Sequence, residues 1–273
     1  MANILDEIVA YKRTEIAQDK ERVSQEDLVQ ACAGVPRCRN FVKAVTKVNP
    51  RGINVIAEVK KASPSAGLIR SDFDAASIAR TYEDCGADAI SVLTDAKYFQ
   101  GSLDYLNAVK QVVKVPVMRK EFIVDPYQVY EARAAGADAI LLIADILPVG
   151  ELSDLMILAT ELTLSVLLEV YSAEVLMQVR SLIGFPEEGY SVLGVNNRDL
   201  ATMQIDIGHT GRMAGLLDDD HHGLVAESGV KTRADVEKLM ATGATAILIG
   251  QTLCEHPDIA EKFAELFGPS PNA

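Results

Sequence analysis

The sequence predicts an α/β protein built as a (β/α)8 TIM barrel with an N-terminal helical extension, and two features carry that expectation. The first is repetition. Cys85-Gly86-Ala87-Asp88-Ala89-Ile90, Ala135-Gly136-Ala137-Asp138-Ala139-Ile140 and Thr242-Gly243-Ala244-Thr245-Ala246-Ile247 share one grammar: a helix end, a glycine suited to positive φ, then a short apolar strand. The first two lie about 50 residues apart, which fits two βα units of such a barrel. The second is alternation: apolar stretches of strand length follow amphipathic helical stretches, as in a parallel sheet covered on both faces. A doubly wound dinucleotide-binding sheet would place a GxGxxG turn after its first strand, and the chain has none.

In chain order, residues 1–50 carry polar helical stretches, including 4–13 and 25–33, too small for a large core of their own. They read as an extension packed on a single barrel domain that spans 1–273. Apolar runs then place strands at 55–58, 89–93, 115–119, 139–143, 165–169, 192–195, 224–226 and 246–249. Between them, amphipathic stretches predict helices at 75–85, 102–113, 126–135 and 233–241, with a closing helix at 259–267. The stripe Leu152, Leu155, Met156, Leu158 and Ala159 is expected to pack the fourth barrel helix on the sheet. Gly184-Phe185-Pro186-Glu187-Glu188-Gly189 reads as a connection on the face away from the chemistry, and Gly268-Pro269-Ser270-Pro271 as a disordered tail.

Composition removes several function classes. Of 273 residues, 49% are apolar and 24% charged, the balance of an ordinary globular protein. No apolar run reaches the ~20 residues needed to span a bilayer. Asp6, Glu7 and Lys12 interrupt the only apolar stretch near the start, so a cytoplasmic location is expected. A net charge of −13 argues against nucleic acid and membrane surfaces as partners. An anionic small molecule would need local cations and backbone N–H groups to draw it in. Cys32, Cys38, Cys85 and Cys254 are scattered without CxxC spacing and read as reduced packing residues.

Barrels of this class carry their chemistry where strands run out into βα loops. Here the strands end in charge: Glu58 and Lys60, then Arg119, Lys120 and Glu121, then Glu169, then Asn196-Asn197-Arg198-Asp199, then Glu227-Ser228-Gly229. Charges closing several buried apolar strands must be paired or functional. Small residues after the last two strands, Ser228 and Gly229 and then Gly250 ahead of Gln251, suit a phosphate held by backbone N–H groups. That site recurs in many barrels and selects no reaction.

The strand ends also resemble a known family. Ile56-Ala57-Glu58-Val59-Lys60-Lys61-Ala62-Ser63-Pro64-Ser65 resembles the E-x-K-x-x-S-P-S signature of indole-3-glycerol phosphate synthases. The resemblance continues through Leu93–Phe99, Met118–Gln128, Leu167–Val170, Gly194–Leu200 and Ala226–Val230, so it spans roughly 55–250 in the family's order. It implies closure of an indole ring on 1-(2-carboxyphenylamino)-1-deoxyribulose 5-phosphate, with loss of carbon dioxide and water, in tryptophan biosynthesis. On that likeness Lys120 is the general acid, Glu169 handles protons in the dehydration, and Glu58 positions and ionises the catalytic groups. Lys60 is implied as a phosphate ligand, with Ser228, Gly229, Gly250 and Gln251 completing the cradle and Glu227 beside it. Asn196, Arg198 and Ser63 are implied around the substrate carboxylate and reacting centre, and Phe99 and Phe122 in an apolar pocket. The reaction needs no cofactor and no metal, and other tryptophan-pathway enzymes are the candidate protein partners. Ala66, Ala96, Glu121 and Gln251 depart from residues common in the family, and none of these changes removes a proposed proton donor or acceptor.

Two rival readings are a Schiff-base lyase with Lys120 as nucleophile and a non-catalytic phosphate-binding barrel. The related phosphoribosylanthranilate isomerases would be expected to carry a cysteine on strand one and an aspartate on strand six, where Glu58 and Asn196 stand. Asp218-Asp219-Asp220-His221-His222 suggests a metal cluster, but its place before strand seven makes it a solvated loop. His209 and His256 read as surface or capping residues.

Overall fold

The computed structural model describes residues 4–217 and 223–269; the run 218–222 and the end of the tail, 270–273, lie outside them. The strands β1 (Asn54–Val59), β2 (Ala89–Leu93), β3 (Val117–Lys120), β4 (Ala139–Ile143), β5 (Ser165–Val170), β6 (Ser191–Asn196), β7 (Leu224–Glu227) and β8 (Ala246–Ile249) form one closed barrel. Every neighbouring pair is parallel, and β1 closes on β8 through Asn54↔Ala246 to Ala57↔Ile249. Helices such as Ala75–Asp84, Leu103–Val112, Pro126–Ala134 and Val149–Glu161 surround it. Leu152, Leu155, Met156 and Ala159 are buried against the sheet, and Leu158 packs beside them, as the stripe required.

The repeated segments explain themselves at the lower rim. Gly86, Gly136 and Gly243 take φ of 91°, 84° and 84°, the left-handed geometry that costs glycine no Cβ clash. Two residues on, Asp88 accepts a hydrogen bond from Val55 N (2.9 Å) and Asp138 one from Val117 N (2.8 Å). Thr245 Oγ1 accepts from Leu224 N at 3.3 Å in the third copy. Each repeat thus brings its polar side chain to a strand-start amide, where a buried N–H would otherwise lack a partner.

β3 begins two residues later than the apolar run suggested, at Val117. Val115 N is taken by the Glu83 carboxylate (2.9 Å), and Pro116 has no N–H for a ladder. The N-terminal helix α1 (Ile4–Arg22) is longer than the expected 4–13. Beyond residue 13 its exposed residues are mostly strong helix formers, Ile16 supplies a further anchor, and acidic residues in the first turn and basic ones in the last suit the dipole. Helix α2 (Gln25–Ala33) packs on Pro126–Ala134, and α3 (Phe41–Thr46) brings buried Phe41 and Val45 against the barrel interior. Among the described residues no helix is long and apolar enough to cross a membrane. All four cysteines are free, and Cys254 is buried with its sulfur 3.1 Å from Tyr82 Oη.

Candidate active site

Strand parity builds the site. Side chains alternate in and out of a barrel wall, so residues two apart face the same way. The interior is filled by Ile56, Met118, Leu167, Val192, Val225 and Leu248. Two residues above Ile56, Met118, Leu167 and Val225 stand Glu58, Lys120, Glu169 and Glu227, and Asn196 is four above Val192. An apolar floor thus continues upward into a charged ring at the mouth.

That ring lines a cavity of about 680 Å³, a volume suited to a small-molecule ligand. Glu58, Lys60, Phe99, Lys120, Phe122, Glu169, Asn196, Arg198, Glu227, Ser228, Gly229, Gly250 and Gln251 all border it. Ser63 does not. It lies in a small side pocket with Phe99, Phe122 and Arg198, where its hydroxyl accepts from Ala66 N at 3.2 Å.

Lys120 is the centre of charge. Its Nζ lies 3.2 Å from Glu169 Oε2 and 3.3 Å from Glu227 Oε2. Asn196 Nδ2 donates to the other oxygen of Glu169 at 3.0 Å, while Asn196 Oδ1 accepts from Arg198 N at 3.0 Å. Burial works against the Lys120 charge, but Glu169, Glu227 and Glu58 outweigh it and hold the ammonium well above its ordinary range. Glu227 moves the other way for a carboxylate. Burial and the neighbouring Glu169 push it up to about 8, against the pull of Lys120. Its Oε2 is ion-paired with Lys120, while its buried Oε1, at the cavity wall, has no hydrogen-bond partner among the described residues. Lys60 Nζ sits 2.5 Å from Glu58 Oε1, and burial lowers the Arg198 guanidinium against the attraction of Glu58.

Two glycines make room for these groups. A Cβ at Gly194 would come within 2.4 Å of Glu227 Oε1, and one at Gly250 within 2.5 Å of Glu58 Oε1. At the turn after β7, Ser228 and Gly229 both have positive φ, 67° and 94°. For Ser228 that is a costly backbone, held by the surrounding structure. Thr252 Oγ1 donates to Val230 O at 2.5 Å and fastens this turn to the one after β8. The Gln251 amide is turned to Glu255 (2.6 Å), so only its backbone is free to serve an anion.

Other parts of the site were not foreseen in the sequence. The segment after β6 folds back on itself through the bridge Arg198↔Ile205 and puts Leu200 and Ile205 into the cavity wall. Leu141, Ile143 and Leu248 complete the floor, a role that strand parity could have assigned. Buried Lys12 of α1 lies behind the Phe99–Phe122 wall, in ion pairs with Asp95 and Glu121. His209, read as surface or capping, opens the helix His209–Ala214 and stacks on Tyr171 at 4.7 Å. His256 borders the cavity rim, its Nδ1 against Asp258 O. Among the described residues no cluster of histidine, cysteine and carboxylate could hold a metal ion.

Comparison with known proteins gives the arrangement a family. Two solved structures resemble the fold. Thiamine phosphate pyrophosphorylase from Pyrococcus furiosus aligns with a TM-score of 0.57 and 15% identity over 80% of this chain and 96% of that one. A 3-hexulose-6-phosphate synthase aligns with a TM-score of 0.60 and 15% identity, covering 78% and 98%. At such identity they establish the barrel alone. Sequence relatives are nearer. The indole-3-glycerol phosphate synthase of Rhodopirellula baltica is 47% identical over 256 residues, 94% of this chain and 95% of its own. That of Lacticaseibacillus paracasei is 44% identical over 251 residues, 92% and 93% of the two chains. The family of indole-3-glycerol phosphate synthases matches residues 5–266. With that span and these relatives, the chain belongs to the indole-3-glycerol phosphate synthase family.

Proposed function

We propose that the barrel mouth closes the indole ring of 1-(2-carboxyphenylamino)-1-deoxyribulose 5-phosphate, the family's step in tryptophan biosynthesis, with Lys120 as the acid that starts it. The observation that carries this reading is the Lys120 ammonium, held between Glu169 and Glu227 above an apolar floor. An ammonium so stabilised donates a hydrogen bond and then a proton to a carbonyl oxygen, and it steadies the oxyanion that develops there. The strong protonation of Lys120 favours this acid role over that of a Schiff-base nucleophile, which needs a neutral amine.

The bond changes follow from the substrate. The ring carbon bearing the carboxylate attacks the ribulose carbonyl carbon while Lys120 protonates the oxygen. Carbon dioxide then leaves, and the electron pair of the broken bond restores the aromatic ring. Loss of the new hydroxyl as water requires a second proton on that oxygen, given by Lys120 once solvent has reprotonated it, and removal of one from the adjacent methylene. Glu169, beside Lys120 and oriented by Asn196, takes the methylene proton. Because a carboxylate leaves as neutral carbon dioxide, one proton is consumed per turnover.

The remaining residues bind. Phe99 and Phe122, 6.2 Å apart between ring centres, enclose the aromatic ring and shed its water. Arg198 and the nearby Ser63 pocket meet the substrate carboxylate. Lys60 and the backbone at Ser228, Gly229, Gly250 and Gln251 take the phosphate, with Glu58 setting the place of Lys60. Glu227, with its unpartnered Oε1, meets a substrate hydroxyl. The test is incubation of the protein with this substrate in a chelator, followed by indole fluorescence. Product is expected; none would refute the reading.

A further inference from the structure

We propose that Lys12 of α1 is a positioning residue for this ring closure: by bridging Asp95 and Glu121 it sets the two loops that carry Phe99 and Phe122. The inference rests on the reaction assigned above. Lys12 Nζ lies 2.9 Å from Asp95 Oδ2, 3.0 Å from Glu121 Oε1 and 2.5 Å from Glu15 Oε2. The side chains of Lys12, Asp95 and Glu121 are only 3%, 0% and 3% exposed, so water does little to screen these charges. Each carboxylate has one hand on Lys12 and the other on a pocket loop. Asp95 Oδ1 caps the one-turn helix Ala96–Phe99 by accepting from Tyr98 N at 2.7 Å. Glu121, next to Lys120, accepts from Phe122 N at 2.9 Å and from Thr94 Oγ1 at 2.8 Å.

Charges on the other sides do not replace the ammonium. Arg119 is 3.8 Å from Glu121 and is claimed at 2.7 Å by Glu131 of the helix Pro126–Ala134. Among the described residues, Lys12 is the one cation within ion-pair distance of Asp95. A second tie joins the same elements: Lys97 lies 3.8 Å over the Tyr11 ring, and Tyr98 Oη donates to Glu7 at 3.1 Å. That tie is exposed and holds the helices together, whereas the buried bridge reaches the backbone at Tyr98, next to Phe99, and at Phe122 itself. Burial alone would raise Glu121, but Lys12 first, then Arg119 and two hydrogen bonds, hold it below the usual carboxylate range. Without Lys12 two buried anions would share one site, so one must take a proton or the loops must part.

The experiment compares wild type, Lys12→Met and Lys12→Met/Glu121→Gln for kcat and KM across pH and for thermal stability. Lys12→Met is expected to raise KM about tenfold while kcat changes less than about threefold, because ring binding is disturbed and the acid is not. Its kcat/KM should improve as pH falls, since a proton on Asp95 or Glu121 does part of the work of the missing ammonium. Removing one anion in the double variant should bring KM to within about threefold of wild type and flatten that pH dependence. A lower melting temperature with wild-type KM and pH profile in Lys12→Met would mean a purely structural lysine and overturn the proposal. So would a double variant that folds without recovering KM. If Lys12→Met does not fold, the double variant decides alone: folded with near-normal KM supports the proposal, and unfolded or impaired refutes it. Failure of the reaction assignment looks different, because wild type itself would then make no indole.

Discussion

At Gly194 a methyl group would stand 2.4 Å from Glu227 Oε1, so the sixth strand must leave that position bare for the carboxylate to lie beside Lys120. Gly194→Ala should therefore lower kcat/KM at least tenfold, a loss of about 1.4 kcal/mol in transition-state binding. The same fluorescence assay reads it, and unchanged activity would show that Glu227 can move without consequence. Lys120→Met tests the acid directly. Its kcat should fall by about 10²–10⁴ with substrate binding retained, as expected for loss of general acid catalysis. Glu227 supplies a pH prediction. With its carboxyl pushed up to about 8, it is a neutral donor at lower pH and a second buried anion above. The substrate is itself anionic, so kcat/KM should decline as pH rises through about 8, and Glu227→Gln should remove that limb. For stability the sign is the same. The folded group holds its proton more tightly than the unfolded one, so its contribution is complete below 4.5 and is lost as pH rises through about 8. Glu227→Gln should consequently raise the melting temperature at pH 9 and leave it nearly unchanged at pH 5.

Among the elements, α1 does two jobs, closing one side of the mouth with Ile8 and holding the pocket loops with Lys12. Ile8→Ala should cost about 2–4 kcal/mol in urea unfolding, the usual loss for a buried isoleucine, and should also raise KM. The sequence made some elements plain and hid others for physical reasons. β2, β4 and β8 fell where their apolar runs begin and end, because a strand buried on both faces has no other composition open to it. The far half of α1 was harder to see, since a helix lying on a barrel buries only an occasional residue such as Ile16. Polar residues at the strand ends pointed to Lys120, Glu169 and Asn196, which parity carries inward. The Lys12–Asp95–Glu121 bridge joins residues distant in sequence, and no local pattern announces it. Nor does spacing reveal that the segment after β6 folds back through Arg198↔Ile205.

For the whole molecule, a charge of −13 surrounds a mouth that must receive a phosphate and a carboxylate. Lys60, Lys120 and Arg198 act within a few ångströms, while the surplus carboxylates act over longer range. Salt shortens the reach of the distant charges from ~30 Å at 0.01 M to ~10 Å at 0.1 M. At limiting substrate, kcat/KM should therefore rise, by about twofold, between those ionic strengths; a fall would mean that the local cations dominate the encounter. The two rims of the barrel also differ in what they tolerate. Below, Asp88, Asp138 and Thr245 tie strand starts together; above, Lys120, Glu169 and Glu227 crowd charge into a small volume; side chains such as Ile56, Met118 and Leu167 lie between. A barrel hooped at its base can be re-furnished at its mouth. New specificities are best sought by exchanging upper-rim side chains one strand at a time, with the hoop left alone.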